Sequence, residues 1–326
     1  MRLIIALLIV AGAACEPDPG GGGDSWEWVA RDLPEGLVDV WGTGAGDVFA
    51  VGGDVGAGPI ALRWDGAGWT RLDTGAATGT LRGVSGSASR VWMVGEGGTV
   101  LRGDRGAGPP TAVGGVPPGV TLNAVSEAGG AVWAVGGDGA VGRIYRLSGA
   151  SFVEDTSVAA AARGVALNDV WAEGADEVWA VGRAGVILHR SGGVWSTLAT
   201  PGGKALQAVH ARAGAAVAVG GSISALVVEA SADTATNVSP PQVKALLGVV
   251  VRADGGVVAV GGEGTVVERE GTVWRTPDGV PATLDDHAAV YVDPSGGVWV
   301  VGGNLVSDPP RDGALLHFGG TIARYP

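Results

Sequence analysis

Leu167-Asn-Asp-Val-Trp171, followed by Val178-Trp-Ala-Val-Gly182, decides the fold, because both halves return six more times along the chain. The first half returns as Leu37-Val-Asp-Val-Trp41, Leu81-Arg-Gly-Val-Ser85 and Leu122-Asn-Ala-Val-Ser126, then as Leu206-Gln-Ala-Val-His210, Leu246-Leu-Gly-Val-Val250 and His287-Ala-Ala-Val-Tyr291. Successive starts lie 39 to 45 residues apart. The second half returns as Val48-Phe-Ala-Val-Gly52, Val91-Trp-Met-Val-Gly95 and Val132-Trp-Ala-Val-Gly136, then as Ala216-Val-Ala-Val-Gly220, Val257-Val-Ala-Val-Gly261 and Val298-Trp-Val-Val-Gly302. Two signatures held in phase over seven copies mark a repeat architecture.

Each repeat reads as four short strands. The first is Leu-x-x-Val, and the second is the Val-Trp-Ala-Val run, apolar on both faces as a doubly buried strand requires. The third resembles Val186-Ile-Leu-His189 and the fourth Trp195-Ser-Thr-Leu198, with turns such as Gly137-Asp-Gly139 and Gly262-Glu-Gly264 between strands two and three. A four-stranded unit of this length is a propeller blade. The spacing therefore predicts an all-β seven-bladed β-propeller, four antiparallel strands per blade, over residues 26–326, with repeats starting near 37, 81, 122, 167, 206, 246 and 287. Closing the ring hides strand edges. Both Trp26-Glu-Trp-Val-Ala30 and Thr321-Ile-Ala-Arg-Tyr325 fit the outermost slot of the seventh blade, and the N-terminal segment is the favoured occupant. The alanine-rich stretch from Val158 to Ala166 reads as a long inter-blade loop rather than a helix.

Composition agrees. The chain of 326 residues holds 61 glycines, where an average protein of that length has about 23, and they recur beside short apolar runs as turn residues. The formal charge is −12 and only two lysines occur, Lys204 and Lys244. A nucleic-acid partner is excluded, since binding phosphates needs a basic stripe.

Arg2, the apolar run Leu3 to Val10 and the small residues before Cys15 make a secretory signal over residues 1–14. Gly12-Ala13-Ala14-Cys15 resembles a bacterial lipobox, which implies that Cys15, the single cysteine, carries lipid and begins the mature chain. Residues 15–25 are glycine- and proline-rich and read as a flexible tether. The expected address is the cell envelope, with the membrane held through Cys15. Glu16 in place of aspartate points to an outer membrane or cell surface rather than the inner membrane.

Trp41-Gly-Thr-Gly-Ala-Gly-Asp-Val-Phe-Ala-Val-Gly52, with Arg63-Trp-Asp-Gly-Ala-Gly-Trp-Thr70, resembles propellers built of BNR or Asp-box repeats. It is also similar to photosystem II assembly-factor propellers and to bacterial lipoproteins. The resemblance covers roughly residues 26–326. Gly66, Gly192 and Gly271 keep the family's glycine three residues before Trp69, Trp195 and Trp274, but Asp65 sits one place nearer than the family pattern and other repeats lack it. What the resemblance implies is the fold, because propellers host many functions. A sialidase site would need three arginines, a tyrosine nucleophile with a glutamate partner, and an acid. Tyr145, Tyr291 and Tyr325 are the only tyrosines, and no such motif maps onto them.

No catalytic residue, metal site or cofactor is expected. His189, His210, His287 and His317 fall in different repeats at unrelated spacings. Trp92, Trp133, Trp179 and Trp299 in strand two, and Trp69, Trp195 and Trp274 in strand four, read as core rather than as a sugar platform. Two sets of residues remain as binding candidates. Arg82, Asn123, Asn168 and Gln207 follow the repeat leucine and should line the axial channel. Asp54, Glu96, Asp138 and Glu263, with Arg183 and Asn304, fall in the turns after strand two and should share one rim able to attract a basic peptide or a cation. The reading that results is a monomeric, non-enzymatic scaffold at the envelope that binds a protein or peptide. The alternative is a glycan-binding or glycan-active propeller of the Asp-box kind.

Overall fold

The computed structural model describes residues 24–326, apart from 76, 106, 140, 159–164, 199 and 201. The signal sequence, Cys15 and most of the tether lie outside the described residues, as does most of the Val158–Ala166 stretch.

Seven four-stranded antiparallel sheets form a ring, a seven-bladed β-propeller. Their innermost strands are Leu37–Gly44, Leu81–Gly86, Thr121–Ala128, Leu167–Ala172, Leu206–Arg212, Leu246–Val251 and Asp286–Val292. Blades one to six each take their four strands from one consecutive stretch of chain. Blade seven does not. Its outermost strand is Ser25–Leu33, paired with Arg311–Gly319 through Trp26↔Phe318 and Trp28↔Leu316. The N-terminal segment therefore closes the ring, as favoured from sequence. Residues 321–326 form no strand; Tyr325 N donates to Val29 O and Trp69 Nε1 to Ala323 O, so the tail lies against blades seven and one.

The core sits between blades. Second-strand residues Trp133, Trp179 and Trp299 are fully buried and Trp92 nearly so, as expected. The fourth-strand tryptophans differ. Trp69, Trp195 and Trp274 are only partly buried at the edges of the inter-blade cores, since strand four is the outer rim of each sheet. Trp195 meets Trp133 edge-on at 5.7 Å.

One local device recurs in every blade and positions the channel residues. The pairing of strands one and two shifts register just after the repeat leucine (or His287), as between Leu122 and Ala124 or Leu167 and Asp169. Such a bulge sets one extra residue against the partner strand and aims its side chain away from the ladder. It also explains why the second-strand motif ends on glycine in all seven repeats. A Cβ on Gly182 would overlap the Ala166 carbonyl oxygen, and one on Gly52 that of Gly36.

Candidate functional site

The bulged residues surround the axis. Arg82, Asn123, Asn168 and Gln207 all line a cavity of about 870 Å³ that runs along it, with Val38, Leu247 and Ala288 completing the tier. The structure thus brings the four predicted channel residues together. It also gives most of them structural work. Asn123 Nδ2 donates to Leu167 O of the next blade at 2.7 Å, and Asn168 Nδ2 does the same to Leu206 O at 2.7 Å. Arg82 is held by Glu96 at 2.6 Å. The tier is two-sided: polar groups stitch blades two to five, while blades six, seven and one present Leu247, Ala288 and Val38.

One residue deeper, most positions are glycine or alanine, because the inner strands crowd there. A Cβ on Gly83 would lie 2.8 Å from Ala124 Cα. Asp39 and Asp169 are the exceptions. Each carboxylate accepts its neighbour's N–H (Val40 and Val170, both 2.8 Å) and reaches across to the following blade (Val84 and Val209, both 2.7 Å). Burial within the ring pushes the Asp39 carboxyl up to about 7 and Asp169 up to about 8, against the pull of those N–H bonds; the charge of Asp39 adds to the rise at Asp169.

The third tier, at the opposite end, is aromatic. The fifth motif position places Trp41, Trp171, His210 and Tyr291 in the cavity wall, with Ser85 and Val250. Trp41, Trp171 and Tyr291 are half-buried. Trp171 stacks on the buried His210 ring at 3.8 Å. Burial drives the His210 imidazole down to about 3, with Arg212 adding to the effect, so the ring is neutral.

Asp54, Glu96, Asp138, Arg183, Glu263 and Asn304 all lie at the connections between strands two and three, hence on one face of the ring, here the upper face. Their carboxylates do not form an open acidic ring. Asp54 accepts the backbone N–H groups of Gly56, Gly58 and Gly79. Glu96 holds Arg82, Asp138 pairs with Arg143 at 2.8 Å, and Glu263 with Lys244 at 2.9 Å. The Arg143 guanidinium holds the Asp138 carboxyl below its usual range. What projects freely from the same face is aliphatic: Ile223 is 84% exposed, Leu284 88% and Val306 91%, on blades five, six and seven. Leu305, beside Val306, also reaches the cavity wall.

No protein-family model matches the chain, and no curated protein matches it. Solved structures do. YCF48 from Cyanidioschyzon merolae aligns with a TM-score of 0.68 at 17% identity, over 90% of this chain and 98% of that one. A structure of YCF48 bound to D1 peptide gives 0.64 at 17% identity, over 93% and 99%. Streptogramin B lyase gives 0.72 at 12% identity, over 91% and 98%. The likeness is one of fold.

Sequence reasoning missed the aromatic tier, the two inter-blade carboxylates and the exposed aliphatic arc. The signals were present: Asp-Val-Trp occurs in repeats one and four, and Ile223, Leu284 and Val306 interrupt polar, turn-forming stretches.

Proposed function

We propose that the chain is an envelope-anchored lipoprotein whose propeller is a non-enzymatic scaffold for a protein or peptide, docked on the upper face. The observation that carries this reading is the arc of Ile223, Leu284 and Val306 on three consecutive blades. A partner that covers this face would bury all three, joining them into the contiguous apolar patch that characterises an interaction site. Asp308, Arg311 and Asp312 are exposed in the segment after Val306 and have no ion-pair partner among the described residues, a net negative charge that suits a partner presenting aliphatic side chains flanked by basic ones. The rim carboxylates singled out from sequence shape the turns beneath this surface. Similarity in fold to YCF48, one structure of which is bound to D1 peptide, supports a binding role. The tether would leave the ring at Ser25, on the lower face, and attach through lipid on Cys15 to an outer membrane or the cell surface.

The test is capture from an envelope extract by the wild type and by I223S/L284S/V306S, with D54A/D138A/E263A alongside. The aliphatic variant should lose specific partners and the carboxylate variant should keep them. Identical partner lists for wild type and the aliphatic variant would sink the docking face. Cell fractionation of C15A, expected to move the protein out of the membrane fraction, tests the anchor.

A further inference from the structure

We infer that the lower end of the axial cavity is a binding site for a neutral saccharide, held against Trp41, Trp171 and Tyr291. This goes beyond the scaffold reading, since it concerns the opposite end of the ring from the aliphatic arc.

Other tryptophans, the buried Trp133 and Trp179 among them, also lack an acceptor, but among the described residues only Trp41, Trp171 and Tyr291 are aromatic side chains that line the axial cavity half-exposed. Trp64, Trp69, Trp92, Trp195 and Trp299 each donate their indole N–H to an acceptor within the protein. The N–H of Trp41, the N–H of Trp171 and the phenolic hydroxyl of Tyr291 have no hydrogen-bond partner among the described residues, and all three side chains line the cavity half-exposed. One face of Trp41 meets the Arg105 guanidinium at 5.8 Å and one face of Trp171 meets His210, so each offers the cavity its remaining apolar surface and an uncommitted polar edge. That pairing suits a pyranose, which presents C–H faces bounded by hydroxyls.

Their placement is fixed. Tyr291 lies across Gly42, where a Cβ would come within 2.8 Å of its Cε1, so it stands beside Trp41 at the junction of blades seven and one. Trp171 lies on blade four and is braced by the stacked His210, whose Nδ1 is buried without a partner. Aromatic surface thus faces the cavity from two separate sectors of the ring. The volume, about 870 Å³ for the whole channel, falls within the range of about 300–1,000 Å³ usual for small-ligand sites.

Charge decides the class of ligand. Arg82 is paired with Glu96, Arg252 with Glu268, and Arg105 with Asp47. Asp39 and Asp169 each accept two backbone N–H groups. A phosphorylated ligand would need an arginine not already matched within the wall, and a cationic one an unmatched carboxylate beside the rings. Among the described residues Arg212, at the lower mouth with the oppositely charged Asp254, is the one cavity-lining arginine without an ion-pair partner. A neutral ligand rich in hydroxyls fits what remains.

The experiment uses the labelled protein on a printed array of neutral oligosaccharides, followed by tryptophan-fluorescence titration with the best-bound glycan. Wild type should bind a defined group of glycans. W41A and W171A should each weaken binding about tenfold or more, W171F by no more than about threefold, and Y291F by a few-fold through loss of one hydroxyl. Thermal melts establish that each variant is folded, and Y291F and W171F keep the test decisive if an alanine variant is not. I223S/L284S/V306S should bind the glycan as wild type does, which separates this site from the upper face. An array without binding, or binding in W41A/W171A within about twofold of wild type, overturns the inference.

Discussion

Replacing Trp179 by alanine removes an indole with no exposure, stacked on His189 at 3.8 Å with the planes 12° apart, from the core between blades four and five. Burying about 200 Å² of indole at roughly 25 cal/mol/Å² is worth about 5 kcal/mol gross. The native state also carries a buried Nε1 without a partner, and deleting it returns about 1–2 kcal/mol. The expected net loss is therefore about 3–4 kcal/mol, within the range for large-to-small core substitutions. Trp171→Ala supplies the contrast: the same residue type, half-buried in the channel wall, should lose only about 1–2 kcal/mol. Guanidinium unfolding followed by far-ultraviolet circular dichroism measures both. A loss under about 1 kcal/mol at Trp179, or equal losses at the two sites, would refute the division into inter-blade core and channel wall.

The raised carboxyls of Asp39 and Asp169 make folding weaken as pH rises from acid to neutral. Each binds its proton more tightly folded than unfolded, so the stabilisation is complete below the unfolded value near 3.8 and is lost as pH rises through about 7 and about 8. Because both side chains partly open onto the channel, the loss should be about 1–2 kcal/mol between pH 6.5 and 8 and should level off above that, and D39N/D169N should flatten it; a wild-type midpoint independent of pH from 6.5 to 8 contradicts the account. Deleting residues 24–33 strips the outermost strand of blade seven and bares the Arg311–Gly319 edge. Size-exclusion chromatography with light scattering should then show oligomers or aggregates, and a monomer with unchanged melting temperature would show that the strand is dispensable.

The architecture was legible because each signature carries its own physical constraint at constant phase. Val-Trp-Ala-Val satisfies burial on both faces, and the glycine after it is forced by the carbonyl of the residue before the repeat leucine (or His287), which presses against it. The site was less legible for a specific reason. Trp171 and Trp179 both follow a valine, in paired strands and directly opposite each other, yet one opens onto the channel and the other is sealed. The bulge after Leu167 alters the alternation of strand one, and its position is a property of pairing, not of composition. The rim carboxylates show the same limit. Glu96 finds Arg82 fourteen residues away within its blade, and Asp54 finds Gly79 across a connection. These partnerships come from folded geometry, so turn residues that look available from sequence are already engaged.

The pairing of Ser25–Leu33 with Arg311–Gly319 joins segments nearly three hundred residues apart. As the polypeptide is synthesised, six sheets can be completed from local stretches, but the seventh must wait for its last inner strands. Until then its earliest strand has nothing to pair with. Final assembly is thereby coupled to completion of the chain, and contacts of such long sequence separation make that step intrinsically slow.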